Sequence, residues 1–389
     1  MINPIFSSWN LRNKRVFVRA DLNVPLSDGK IRNDFRLTSI LPTIDYILKK
    51  QGSIVLATHI GRPSGQEPEL STQLLVPWFK QQGYTIQFVQ DINTIAMMEI
   101  VPQHILLLEN LRFFPGEQNG DIVFAKELAR TAQYYINDAF GTIHEHGCST
   151  TLLPYEFSEH RRSIGLLMEK ELQAFDTLTE NPAHPFLAIL GGGKVKDKIP
   201  LVSSLLHKVD TVALYPAICF SFLKALGKPV GKSLVDDTIL DTCKKIILEA
   251  EFANVSYLFP VDYQAGYNTI NSSLSIISAD NFPDNAIGIS VGPQTVELIS
   301  KEINHAKTVF LNCAMGFSEY PTTQQSTQDI IEAMAQSSAK TIIAGGDSVD
   351  IALRTEHYQN ITHLSTGGGA ALAYLNNKLL PGLIPFEET

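Results

Sequence analysis

The sequence predicts an α/β chain made of two doubly wound domains with parallel sheets. Three observations predict it. Short β-branched runs alternate with helical patterns, as parallel strands joined by crossover helices require. The alternation comes in two blocks, and 389 residues exceed one ordinary core. Polar residues gather at the carboxyl ends of the strand runs, where open parallel sheets bind ligands.

The first block opens with RVFVRADL (15–22), which ends in Arg19, Asp21 and, just beyond, Asn23. The helical stretch LTSILPTIDYILKKQG follows, with Gly52 as its expected C-terminal stop. SIVLATH (53–59) ends on His59, with Arg62 close behind. TIQFV (85–89) and HILLLEN (104–110) come next, the latter leading to Asn110 and Arg112. YYINDAF (134–140) carries Asn137 and Asp138. RRSIGLLMEKELQAF (161–175) has the apolar spacing of a connecting helix and sets the seam, giving domains of residues 1–165 and 166–368. The second block runs FLAIL, TVALY, SYLFPVD, TVFLNCA, KTIIAGGD and ITHLS, with helices such as TQDIIEAMAQSSA between them. Each domain should carry one site. The first is rich in arginine, histidine and amide, the second in glycine and lysine.

Composition narrows the function classes. At 18% charged residues with a large apolar fraction, the chain is globular. Its start, MINPIFSSWNLRNKRV, lacks the apolar core of a signal peptide, and no apolar run reaches membrane-spanning length. A cytoplasmic protein without a membrane partner is expected. Cys148, Cys219, Cys243 and Cys313 lie far apart with no CxxC, which fits reduced buried thiols. The net charge of -9 argues against nucleic acid. Ten of the eleven arginines fall before residue 166, whereas lysines divide six to fourteen. Arginine offers a planar fork to phosphate or carboxylate, and lysine a mobile point charge.

Within GGGKVKDK (191–198), the glycines and the lysines Lys194 and Lys198 suit a phosphate cradle of backbone N–H groups, or a tight turn with solvated lysines. It is not a Walker A loop, since Val195 stands where a hydroxyl belongs. In AGGDS (344–348), Asp347 suits Mg2+ beside a phosphate, or the cap of a helix that Ser348 begins. STGGGAAL (365–372) is an incomplete dinucleotide fingerprint and better suits a hinge or a helix N-terminus aimed at phosphate. In IHEHGC, His144 and His146 would share a face on a strand, but no third ligand is near, so a non-metal role is preferred.

RADLNVP, THIGRP, ENLRFFPGE, NDAFGT, GGGKVKDK, GKSLV, AGGDS, STGGGA and the closing LPG stand in the order and spacing of phosphoglycerate kinases, and the chain resembles that family over essentially its whole length. The resemblance implies two Rossmann-like domains joined by a helix and hinge, with residues 369–389 returning to the first domain. It implies reversible phosphoryl transfer between 1,3-bisphosphoglycerate with ADP and 3-phosphoglycerate with ATP, by a monomer using Mg2+. Asp21 and Asn23 would hold the glycerate, while His59, Arg62 and Arg112 would surround and neutralise the 3-phosphate. Arg36 would lie near the transferring group, with Lys194, Lys198, Gly368 and Gly369 also catalytic. The nucleotide would meet Gly192, Lys194, Lys198, Gly292, Asn312, Glu319, Gly345, Gly346, Asp347 and Ser348, with Asp347 supporting the metal.

The chain departs from that pattern in two places. Glu145 stands where the family has an arginine on the substrate phosphate, and Gly147 where it has a histidine. A carboxylate facing phosphate at ~4 Å costs about 4 kcal/mol at an effective dielectric near 20. Glu145 escapes that cost if it points into water or pairs with Arg161 or Arg162. On the nucleotide side, Tyr215, Pro216 and Ala217 replace a glycine triplet and would add bulk where a base lies, while Cys313, Ala314, Ala344, Ser290 and Gln294 are further substitutions. An active kinase is expected. The alternative is a kinase-like protein with little turnover, kept for binding a ligand or partner.

Overall fold

The computed structural model describes residues 2, 4–27, 29–193, 195–269 and 273–387, the side chain of Asp197 excepted. The chain divides into two units. One is Met1–Gln173 with Gly369–Thr389, the other Ala174–Gly368. The division falls inside the helix Leu166–Thr179.

The sheet of the first unit has the order Ile86–Val89, Ile105–Leu108, Ser53–Ala57, Arg15–Ala20, Tyr134–Asp138, Arg162–Ile164, all pairings parallel. Both faces are buried, as parallel sheets require. On one side Val16, Val18 and Ala20 pack with Leu37, Ile40, Ile44 and Ile47 of the helix Phe35–Lys49. On the other, Phe17 packs with Val55, Leu106 and Tyr135. The expected stop at Gly52 is corrected: Gln51 takes the left-handed turn (φ 60°). Gly52 is needed instead for close approach, since a Cβ there would lie 2.8 Å from Ile47 Cγ2.

The C-terminal stretch belongs to this first unit. Gly382 donates to the Ile143 carbonyl at 2.8 Å and accepts from Asn137 Nδ2 at 3.1 Å. Phe140 meets Tyr374 edge-on, and Phe386 stacks on Tyr135.

The main sheet of the second unit runs Ser256–Leu258, Thr211–Ala217, Phe186–Gly192, Thr308–Asn312, Lys340–Ile343, His363–Leu364, also parallel. A feature absent from the sequence reading is a small antiparallel sheet of Ser275–Ser278, Asp262–Tyr267 and Ala286–Val291. The run SYLFPVD is therefore not one strand. It breaks after Leu258, ahead of Pro260, which has no N–H for a ladder, and Asp262 opens the second sheet. No helix among the described residues is long and apolar enough to cross a membrane.

Candidate functional site

In chain order the first sheet reads 3-4-2-1-5-6, so its connections diverge between Arg15–Ala20 and Tyr134–Asp138. Ligand crevices form outside the carboxyl ends of strands at such a switch point. Asp21, Asn23 and the turn Phe140–Thr142 lie there. Asp21 is buried and pairs with Arg36, from the first turn of the helix Phe35–Lys49. Burial opposes ionisation of Asp21, but the charge of Arg36 foremost, with lesser help that includes Arg19 and the Asn23 N–H, outweighs it and holds the carboxyl below its ordinary range. Gly141 makes room for this pair, since a Cβ would strike both the Asp21 carboxylate and Arg36. Asn23 accepts the Gly61 N–H at 2.9 Å.

His59 is buried, and its Nδ1 faces Arg19 Nη2 at 3.4 Å. Burial, aided by Arg19, Arg112 and Arg36, pulls its pKa down to about 3. At neutral pH the ring is uncharged, and the contact with Arg19 makes Nδ1 the acceptor. With no ligand anion beside it, His59 therefore offers an N–H dipole rather than the charge expected of it toward a phosphate.

Arg62 and Arg112 line a cavity of about 360 Å³ with Arg19, Glu117, Glu145 and Thr150. Arg112 is oriented by its neighbours: Asn110 caps the short helix Leu111–Phe113 and receives the Arg112 backbone N–H, and Arg112 Nη1 donates to the Gly61 carbonyl at 2.7 Å. Its Nη2 donates to Glu145 Oε2 at 2.7 Å. Glu145 neither points away into water nor pairs with Arg161 or Arg162. It turns into the cavity and engages Arg112. His144 and His146 sit in a turn beyond Phe140–Thr142, not on a strand, so they share no strand face.

The second sheet reads 3-2-1-4-5-6 in chain order, which places its switch point between Phe186–Gly192 and Thr308–Asn312. Lys198 spans that point, its Nζ donating to the Gly191 carbonyl and, at 3.0 Å, to the Asn312 carbonyl. Gly192 takes a positive φ of 97° as the strand turns toward the helix Val195–Leu205. Lys194 lies outside the described residues. Asn312 donates to the Ala344 carbonyl at 2.8 Å, and its buried Oδ1 has no partner among the described residues. Gly345, at φ 100°, precedes the helix Gly346–Ala352 and leaves space for Asn312 Nδ2.

Asp347 is exposed in the first turn of that helix, which begins at Gly346 rather than Ser348, and no side chain caps it. Ser348 is buried, and Glu319 is exposed in a loop. Gly292 is buried against Asp262, whose carboxylate accepts the N–H groups of Gln294 and Thr295, so its missing Cβ is already used within the fold. Gly368 has a positive φ of 49°, and Gly369 begins the helix Gly369–Asn376. A second cavity of about 390 Å³ lies beside Gly193, Lys196 and Asp236.

The sequence model of the family described as phosphoglycerate kinase matches residues 6–378. The chain belongs to the phosphoglycerate kinase family. It is 36% identical to the phosphoglycerate kinase of Finegoldia magna, over 97% of this chain and 98% of that one. It is 39% identical to that of Chlamydia pneumoniae, over 95% and 94%. The solved phosphoglycerate kinase of Coxiella burnetii superposes with a TM-score of 0.86 at 32% identity, covering 98% of this chain and 97% of that one.

Among phosphoglycerate kinases the substitutions at 215–217 suggested a crowded base site, but Tyr215 is wholly buried in its unit, inside the strand Thr211–Ala217. Its ring is core. Glu117 and Lys196 are absent from the site expected from the sequence, and Arg19 appears there only as a strand-end residue with no ligand assigned. Arg19 had a signal: strand alternation puts it on the face of Asp21, two residues on. Lys196 had one too, as the middle lysine of GGGKVKDK. Glu117 is buried and accepts from Ser149 N and Oγ, contacts its local sequence does not announce.

Proposed function

We propose that this chain transfers a phosphoryl group reversibly between 1,3-bisphosphoglycerate with ADP and 3-phosphoglycerate with ATP, as a cytoplasmic monomer. The observation that carries the reading is the pair of anion-suited crevices at the two switch points. One is lined by arginines, and the other is a glycine turn spanned by Lys198. One chain supplies both sets of groups, which supports a monomer. Its four free, buried cysteines suit a reducing compartment.

In the first unit, Asp21 and Asn23 hold the glycerate hydroxyl and carboxylate, and Arg62 and Arg112 bind the 3-phosphate, with His59 as a neutral donor. Arg36 is about a quarter exposed and fixed by Asp21. It faces the group being transferred and stabilises charge that grows on its oxygens. In the second unit, N–H groups of the turn at Gly192 and the start of the helix Val195–Leu205 receive nucleotide phosphates. Lys198 keeps its ammonium at the strand ends, and Lys194 is assigned beside it from its place in the sequence. Gly345, Gly346, Ser348 and Asn312 shape the floor of this crevice. Glu319 meets the ribose, Gly292 borders the base, and N–H groups at Gly368 and Gly369 meet the transferring group.

The exposed carboxylate of Asp347, which has no partner among the described residues, suits Mg2+. This ion takes one or two protein carboxylates and fills its remaining positions with phosphate oxygens and water. Bound there, Mg2+ would neutralise nucleotide phosphate charge. Mixing purified protein with 1,3-bisphosphoglycerate and ADP should yield ATP steadily. Intact ligand binding without ATP formation would favour the alternative, a kinase-like binding protein.

A further inference from the structure

We propose that Glu145 is a tethered competitor for the phosphate position on Arg112, so that a ligand's phosphate binds only by breaking the Arg112–Glu145 pair. This deepens the reading above and rests on it for the identity of the substrate. The two partners are held unequally. Arg112 is mostly buried and clamped, with Nη1 on the Gly61 carbonyl at 2.7 Å and its backbone N–H on Asn110 Oδ1 at 3.0 Å. Its guanidinium is therefore held in place, and one of its donors, Nη2, faces Glu145.

Glu145 is the movable partner. Its side chain is 38% exposed, and its N–H bonds to Thr142 in the turn that follows Phe140. The same cavity holds Arg62, which is exposed and makes no ion pair among the described residues. An incoming phosphate finds one arginine open and one occupied.

A carboxylate on Arg112 makes the kind of charge-assisted bond that a phosphate oxygen would make there. Because it is attached to the chain, its effective concentration is high and it gives up no translational freedom. Every ligand that reaches Arg112 bears the same displacement cost, and a ligand that stops short of Arg112 bears none. Two other carboxylates lie near. Glu117 accepts from Ser149 and Asp21 pairs with Arg36, so neither hydrogen-bonds to Arg112, although the charge of Arg112 does reach Glu117.

Competition by contact differs from simple repulsion in its dependence on reach. Glu145→Asp keeps the charge but shortens the side chain by one methylene, too short to hold Nη2. Glu145→Gln removes the charge at the same length. Calorimetric titrations of wild type and both variants would use inorganic phosphate, 3-phosphoglycerate and D-glycerate, which lacks the phosphate. The proposal expects both variants to bind phosphate and 3-phosphoglycerate at least fivefold more tightly, with D-glycerate affinity unchanged. Glu145→Asp binding like wild type while Glu145→Gln tightens would show repulsion alone and overturn it. Equal gains for D-glycerate, or none for any ligand, would overturn it as well. The phosphate arm needs no assumption about the substrate. A wild type that makes no ATP would therefore count against the proposed activity while leaving this test intact.

Discussion

Replacing Asp138 with asparagine should flatten the pH dependence of the first unit's stability. Asp138 is wholly buried at the end of the strand Tyr134–Asp138. It accepts the Met168 N–H at 2.7 Å and the Thr43 hydroxyl at 2.5 Å, which ties the start of the helix Leu166–Thr179 to the sheet. Burial pushes its pKa up to about 7 from 3.8; the bonds from Thr43, Met168 and Leu167 oppose the rise, and Glu171 adds to it. Between those two values the folded chain holds a proton that the unfolded chain has released. Stability from this group is therefore full below the unfolded value and is lost as pH rises toward the folded one. About three pKa units at 1.36 kcal/mol each make the span roughly 4 kcal/mol, of which about 3 falls between pH 5 and 8. Asparagine keeps the acceptor for Met168. Its amide can donate to Thr43 Oγ1, which already accepts from Leu166 N at 3.0 Å, leaving the hydroxyl proton without its acceptor at a cost of about 1 kcal/mol. Trp9 and Trp78, the two tryptophans of the chain, both lie in the first unit, so urea melts followed by their fluorescence report on it alone. The variant should be about as stable as wild type near pH 5 and more stable, by roughly 3 kcal/mol, near pH 8. A stability difference that stays constant across that range would refute a buried carboxyl titrating near neutrality.

Arg36→Met should lower kcat far more than it raises KM if, as proposed, the lost charge faces the group in transit. It should also weaken the first unit near neutral pH by leaving Asp21 buried without its main partner, and the deficit should shrink as acid protonates Asp21, a sequence of kinetic runs and urea melts that unchanged kcat would contradict. Lys198→Met keeps much of the side chain's length but removes the ammonium between the Gly191 and Asn312 carbonyls. Loss of charge-assisted bonds worth about 1.5–3 kcal/mol should cut kcat roughly 10- to 150-fold, and a change within twofold would remove it from the catalytic set. His59 should stay neutral in NMR titrations down to about pH 4, since its folded pKa is about 3 against 6.5 unperturbed. Because the unfolded chain takes that proton first, this residue makes the protein less stable as pH falls below 6.5, and a ring titrating near 6.5 would contradict the buried placement.

The strands and the residues at their ends were legible in sequence because both have local causes. β-branched runs of the right length form buried parallel strands, and polar residues at their carboxyl ends have a crevice to face. Asp21, Asn23, Arg112 and the glycine–lysine turn that carries Lys198 came from that logic, whereas Asn312 came only from the family resemblance. Side-chain targets were less legible, because they depend on distant partners. The small antiparallel sheet hid in SYLFPVD, whose apolar residues look continuous until Asp262 is drawn to the helix Pro293–His305 some thirty residues on. Tyr215 looked like an obstacle in a base site because it stands where the family it resembles has a glycine triplet. A strand covered on both faces gives each side chain a core to enter, and Tyr215 enters it. Glu145 is the sharpest case. Its charge was plain in the sequence, and so was the expectation that such a charge opposes phosphate. Its target follows from the Gly61 carbonyl, 51 residues from Arg112, which holds that guanidinium where Glu145 can reach it. A substitution in a binding motif can therefore act by occupying a neighbour's donor rather than by repelling the ligand, and the two differ in whether the length of the side chain matters.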